Sequence, residues 1–259
     1  MQFETLKYEV KDGVARLTIN RPDSLNALNR QVHEELIEVA KLASNDESID
    51  VLVLGGEGRA FVAGADIKAM LEYSPEEAQQ FSELGHQAMD AIAALPFPTI
   101  AAIHGFALGG GLELALTCDL LYASDKAVLG LPEVALSVIP GWGGTQRLGR
   151  RIGWHHAREL IFTGRKIKAA QAKEIGLVLD VYPIDEFASK IDERVAEIRA
   201  NGPLALRAAK SAIFKGEGVN LEQAMVYEQE AFGALFGTHD QVEGMTALLE
   251  RRSPEFKRK

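Results

Sequence analysis

The chain has 259 residues, 47% hydrophobic and 25% charged, with a formal net charge of −9. These values fit a globular protein of one large domain, or of one domain with a smaller appendage. The acidic balance argues against a nucleic-acid partner, whose binding rests on Lys and Arg neutralising phosphates, and a single cysteine excludes an intrachain disulfide and a multi-cysteine metal site.

The first residues, Met1-Gln2-Phe3-Glu4-Thr5, hold an early acid and no basic-then-apolar run, so no signal or transit segment is expected. No stretch reaches the roughly 18 consecutive apolar residues of a membrane span. The expectation is a cytoplasmic protein without a membrane partner. Val14 to Ile19 alternates apolar and polar residues, which predicts a half-buried strand. Asn29 is a candidate cap for a helix whose apolar face is Val32, Leu36, Val39, Ala40 and Ala43, running to about Ser44. Val51-Leu52-Val53-Leu54, closed by two glycines, reads as a buried strand.

Ser74-Pro75-Glu76-Glu77 opens the next helix with a cap, a proline in its first turn and an acid three residues on. Pro96 and Pro98 stop it. Thr99 to Ile103 is a second buried strand, which leads through His104-Gly105 into Gly109-Gly110-Gly111 and a short helix to about Thr117. Leu120 to Ala123 is a further strand. The alternation predicts an α/β fold. The last third is helical, with starts at Asn220 and Thr238, each followed by Gln three residues later. We place the domain boundary at residue 200, with residues 1–200 as the core and 201–259 as a helical region.

Four segments are candidates for chemistry: Ala63-Gly64-Ala65-Asp66, Ala107-Leu108-Gly109-Gly110-Gly111-Leu112-Glu113, Gly130-Leu131-Pro132-Glu133, and Ile139-Pro140-Gly141-Trp142-Gly143-Gly144-Thr145-Gln146. The triple glycine opens a helix, where outward-pointing N–H groups hold an anion or polarise a carbonyl. It is neither a Walker loop nor a dinucleotide fingerprint. The same glycines also fit a tight turn with close strand–helix packing. Glu113, one helical turn after Gly110, sits among apolar neighbours, where burial raises a carboxyl pKa and suits it to acid–base work. An exposed position on the polar side of the helix fits the same spacing. Glu133, behind the stiffening Pro132, reads either as a carboxylate at the rim of an apolar pocket or as a surface loop acid. Asp66 is a candidate helix cap. Cys118 and His104 read as packed structural residues, and the six histidines show no metal spacing.

Taken in order, these segments resemble the crotonase superfamily, and enoyl-CoA hydratases within it. The resemblance rests on Asn20-Arg21-Pro22 with Asn26-Ala27-Leu28, on Phe61 to Ile67, on His104 to Gly111 with Glu113, on Gly130 to Glu133, and on Pro140 to Leu148. Later come Thr163-Gly164-Arg165, Gly176-Leu177-Val178 and Glu243-Gly244.

The resemblance implies a spiral of ββα units with a C-terminal helical region for trimerisation, the trimers often paired as hexamers. It implies water addition to a trans-2-enoyl-CoA, with no cofactor beyond the coenzyme A of the substrate. Ala65 and Gly110 would supply the oxyanion hole, and Glu113 and Glu133 would handle the water. Ala63, Asp66, Ile67 and Lys68 would contact CoA, with Gly141 beside the water. Phe232 and Arg251 match positions that reach the CoA of a neighbouring subunit. A Δ3-Δ2 isomerase, or a non-catalytic RNA-binding relative, shares the same family resemblance. Trp142 and Val62 depart from its small residues, and the ring at Trp142 bears on acyl chain length.

Overall fold

The structure, a computed structural model, describes residues 3–259. It opens on a hairpin of β1 (Leu6–Lys11) and β2 (Val14–Ile19), turned at Asp12 and Gly13, both at positive φ. Such a two-residue turn matches the twist of the strands it joins. Helix α1 (Arg30–Ser44) follows, and the Asn29 side chain accepts the Val32 N–H at 3.0 Å as predicted.

Three turns of similar plan come next. Strand β3 (Val51–Gly56) is followed by β4 (Ala60–Val62), the short helix α2 (Ile67–Met70) and α3 (Pro75–Ala93). Strand β5 (Thr99–Ile103) is followed by β6 (Phe106–Leu108) and α4 (Gly110–Ala115). Strand β7 (Leu120–Ser124) is followed by β8 (Val128–Gly130), a 3-10 turn at Glu133–Leu136, α5 (Gly144–Ile152) and α6 (Trp154–Thr163). Strand β9 (Ile167–Lys168), α7 (Ala169–Glu174) and β10 (Asp180–Tyr182) complete the sheets.

Each turn sends its first strand to a six-stranded sheet, ordered β1-β2-β3-β5-β7-β10, and its second to a four-stranded sheet, ordered β4-β6-β8-β9. Neighbours β3, β5 and β7 are parallel, as are β4, β6 and β8. The chain therefore winds as ββα units, advancing one strand per turn in both sheets. Strands β3 and β5 are buried along most of their length, as continuous apolar runs require.

Several short elements differ from the sequence reading. Strands β4, β6 and β8 have three residues each and are too brief for a periodic signal. Strand β3 continues through Gly55 and Gly56, which pair with Thr18 and Ile19. The helix after the triple glycine ends at Ala115, not Thr117. The capping box at Ser74 and Glu77 is complete in both directions.

The chain forms two compact units. The first runs to Leu95 and resumes over Thr99–Glu193; the second comprises Pro96–Pro98 and Arg194–Lys259. The division falls within α8 (Phe187–Arg199). The second unit holds α9 (Pro203–Gly216), α10 (Leu221–Leu235) and α11 (His239–Glu250). Asn220 and Thr238 cap α10 and α11 by accepting the Gln223 and Gln241 N–H groups. The buried Asp240 carboxylate accepts the Lys257 and Arg258 N–H groups at 2.6 and 2.8 Å, which fastens the tail to α11. Among the described residues, no helix is long and apolar enough to cross a membrane, and no group of three or more His, Cys, Asp or Glu could hold a metal ion.

Candidate active site

Strand β4, which leads into the loop at Ala63–Asp66, is held by Asn26. That residue is fully buried, with φ 60°. Its side-chain amide donates to the Glu57, Ala60 and Phe61 carbonyls at 2.9, 2.7 and 3.2 Å, and its Oδ1 accepts the Arg21 N–H at 2.9 Å. The Ala63 N–H donates to the Leu25 carbonyl, and the Asp66 N–H to the Leu28 carbonyl, on either side of a Leu28–Ala65 bridge. The bridge uses the flanking groups, and the Ala65 N–H donates to no protein acceptor among the described residues. Asp66 stands at the start of α2, but its side chain makes no capping bond; it pairs instead with Arg21 at 3.1 Å. The expected cap is thus corrected: the nearby guanidinium takes the carboxylate. Ile67 and Lys68 are exposed on α2, and Ala63 is partly exposed.

The glycine turn lies beside this loop. Gly109 has φ 51° and ψ −126°, a backbone conformation that side chains disfavour, and its N–H donates to the Gly130 carbonyl at 2.9 Å. A Cβ at Gly109 would lie 3.8 Å from the Gly64 Cα. Gly110 begins α4, and its N–H, like that of Ala65, finds no protein acceptor among the described residues. Two unpaired donors thus come from neighbouring segments, as stabilisation of a developing oxyanion requires.

Glu113 projects from the first turn of α4 and is buried at 1% exposure. The alternative of an exposed helix acid is overturned. Its Oε1 accepts the Trp142 N–H and the Gly144 N–H, each at 2.7 Å. Burial raises its pKa; the N–H groups of Gly144, Trp142 and Gly141, and the charge of Arg147, oppose the rise. The glycine-rich segment before α5 therefore acts as a backbone cradle for this carboxylate. Ser82 Oγ donates to the Gly141 carbonyl at 2.7 Å and fixes the cradle's far side.

Glu133 leads the 3-10 turn after β8. It is half-buried, and its Oε2 is enclosed without a hydrogen-bond partner among the described residues. Burial pushes its carboxyl up to about 7; its own backbone N–H opposes the rise, and the negative charge of Glu113 adds to it. The charge of Glu113 thus reaches Glu133, though burial is the larger cause of the rise.

Trp142 is only 4% exposed. Its ring meets His33 edge-on at 4.4 Å and Phe81 at 5.3 Å, centroid to centroid. Ser82, Gly85 and His33 join the site without being among the residues the sequence singles out. The available signal was Gly85, since a glycine inside a helix is unfavourable unless something must approach closely.

A family profile described as enoyl-CoA hydratase/isomerase matches residues 9–259. A crotonyl-CoA hydratase of Syntrophomonas wolfei is 41% identical, with 99% of each chain covered. A short-chain-enoyl-CoA hydratase of Clostridium acetobutylicum is 42% identical, with 98% of each covered. The crystal structure of an enoyl-CoA hydratase from Bacillus anthracis superposes with a TM-score of 0.96 at 39% identity, over 99% of this chain and 100% of that one. The chain belongs to the enoyl-CoA hydratase/isomerase family.

The two sheets and their ββα turns are accordingly the crotonase fold. In this family member, Ala65, Gly110, Glu113 and Glu133 are brought to one region by β4, α4 and β8. Gly141 and Trp142 join them through the cradle. Phe232 and Arg251 belong to the second unit. Phe232 is exposed and packs on Phe236 at 5.0 Å, and Arg251 ends α11 with φ 59°.

Proposed function

We propose that this chain is an enoyl-CoA hydratase that adds water across the double bond of a trans-2-enoyl-CoA to give a 3-hydroxyacyl-CoA. The observation that carries the reading is the enclosed glutamate pair beside two unpaired backbone donors. The Ala65 and Gly110 N–H groups receive the thioester oxygen. As the water oxygen bonds to the β-carbon, the double-bond electrons shift toward the carbonyl and charge builds on the thioester oxygen as an enolate, which the two donors stabilise. Loss of one such donor typically costs about 2.7–4 kcal/mol of transition-state stabilisation. Glu113 and Glu133 hold the water between them. One carboxylate takes its proton, and the pair returns a proton to the α-carbon as the enolate collapses. Both new bonds form on the face presented to the pair, so addition is syn. Atoms balance without a metal or a redox partner.

Ala63, Asp66, Ile67 and Lys68 flank the thioester on the CoA side, with the Lys68 ammonium available to phosphate. The exposed apolar side chains of the second unit, Ile213, Leu221, Phe232, Leu248 and Leu249 among them, support assembly into a trimer or hexamer. In that assembly, Phe232 and Arg251 reach the CoA of a neighbouring copy. The protein works in the cytoplasm, in β-oxidation-type acyl-CoA metabolism, without nucleic acid, membrane or separate cofactor.

The test is turnover of crotonyl-CoA in heavy-oxygen water. A hydratase places the label at the 3-hydroxyl, whereas double-bond migration without label identifies an isomerase instead. Light scattering on the purified protein gives the copy number; a monomer at micromolar concentration would refute the assembly.

A further inference from the structure

Trp142 is joined to the reacting groups at two points. Its N–H donates to Glu113 Oε1 at 2.7 Å. Its ring lies on Gly110, where an added Cβ would stand 2.2 Å from the ring carbon Cζ3. The other edge enters α3 at Gly85, where a Cβ would stand 2.1 Å from the indole Nε1. Two glycines, one on each side, thus form a slot that only an unsubstituted backbone leaves open. Behind the indole stand His33 at 4.4 Å and Phe81 at 5.3 Å, with His33 and Phe81 themselves edge-on at 5.5 Å and Tyr73 on Phe81 at 5.6 Å. A ring packed on this many sides has nowhere to turn.

This arrangement bears on the substrate, and the argument rests on the hydratase reading above. With the thioester oxygen at the Gly110 N–H and the β-carbon facing Glu113, the rest of the acyl chain extends beyond both. The indole touches the first of these residues through its ring and the second through its backbone, so it bounds the same space. We propose that Trp142, keyed into place by Gly85 and Gly110, is the stop at the end of the acyl site, and that it restricts the enzyme to short straight-chain enoyl-CoAs. Long chains meet an aromatic wall braced by His33 and Phe81.

The experiment compares kcat/KM for trans-2-enoyl-CoAs of four, six, eight and ten carbons in the wild type, Trp142→Ala and Trp142→Leu. A methylene that fits or fails to fit an apolar pocket changes kcat/KM about 10–200-fold. The wild type is expected to lose at least about tenfold between the four- and eight-carbon substrates. The variants are expected to raise the eight-to-four-carbon ratio by about tenfold or more, whatever their absolute rates. Inhibition of crotonyl-CoA turnover by saturated octanoyl-CoA, relative to butyryl-CoA, should strengthen in parallel. Trp142→Leu keeps the site filled if the alanine variant does not fold. A wild type that hydrates all four lengths equally, or a folded variant with an unchanged ratio, overturns the stop and leaves the hydratase reading standing. A wild type that hydrates none of them overturns the hydratase reading, and the stop with it.

Discussion

Gly109 and Glu133 are in direct register: a Cβ built on Gly109 would stand 2.7 Å from Glu133 Oε1. The residue before the oxyanion turn thus sets the position of a carboxylate from a different turn of the chain. Replacement by alanine would push that carboxylate away and would strain a backbone at φ 51°. Gly109→Ala should lose about 1–3 kcal/mol of stability and about 100-fold in kcat/KM, since a displacement near 1 Å at reacting groups has that effect. Denaturant unfolding and crotonyl-CoA kinetics on the same preparation check both parts. Unchanged kcat/KM would show that Glu133 need not sit there.

Glu113 and Glu133 divide one job, so their replacements should not add. Glu113→Gln and Glu133→Gln should each lower kcat about 100- to 10,000-fold, the usual range for a positioned acid–base group. The double variant should lie within about tenfold of the weaker single variant. A double variant whose loss is the product of the two single losses would mean that the glutamates act independently.

The raised pKa of Glu133 has a consequence for stability. Its folded value of about 7 lies above the ordinary 4.5, so the folded state holds this proton more tightly than the unfolded chain. The resulting stabilisation is complete below about pH 4.5 and is lost as pH rises toward 7. Glu133→Gln removes this dependence. The variant should therefore gain about 1–2 kcal/mol on the wild type between pH 5 and pH 8, allowing for the solvent that reaches the half-buried group. Parallel urea curves for the two proteins at both pH values would refute the assignment.

Asn26 holds the Glu57 carbonyl of the β3–β4 connection and the Ala60 and Phe61 carbonyls of β4. Asn26→Ala leaves those carbonyls and the Arg21 N–H without their partner and removes a residue suited to φ 60°. The expected loss is about 2–4 kcal/mol. A fall in melting temperature of several degrees, seen by circular dichroism, is the readout. A change below one degree would mean that water replaces the amide fully.

The order of elements, the caps at Asn29, Ser74, Asn220 and Thr238, and the candidate status of Glu113 and Glu133 were legible in the sequence, because each depends on neighbours within about four residues. A proline after Ser74 or an acid one turn after Gly110 states its local geometry without help from distant chain. The bland alternatives for both glutamates were equally legible, and local spacing had no means of choosing between them. Tertiary structure chose, by burying Glu113 under backbone from 31 residues further on and by setting Glu133 against Gly109. The three-residue strands β4, β6 and β8 were invisible for a related reason, since they exist only as paired neighbours of one another. Asp66 read locally as a cap, but Arg21, 45 residues away, took its carboxylate. Trp142 shows the division most plainly. From sequence it was a large ring where small residues are usual; its slot between Gly85 and Gly110 joins three segments that meet only when the chain is wound, because close packing is a property of the assembled layers and not of any one of them.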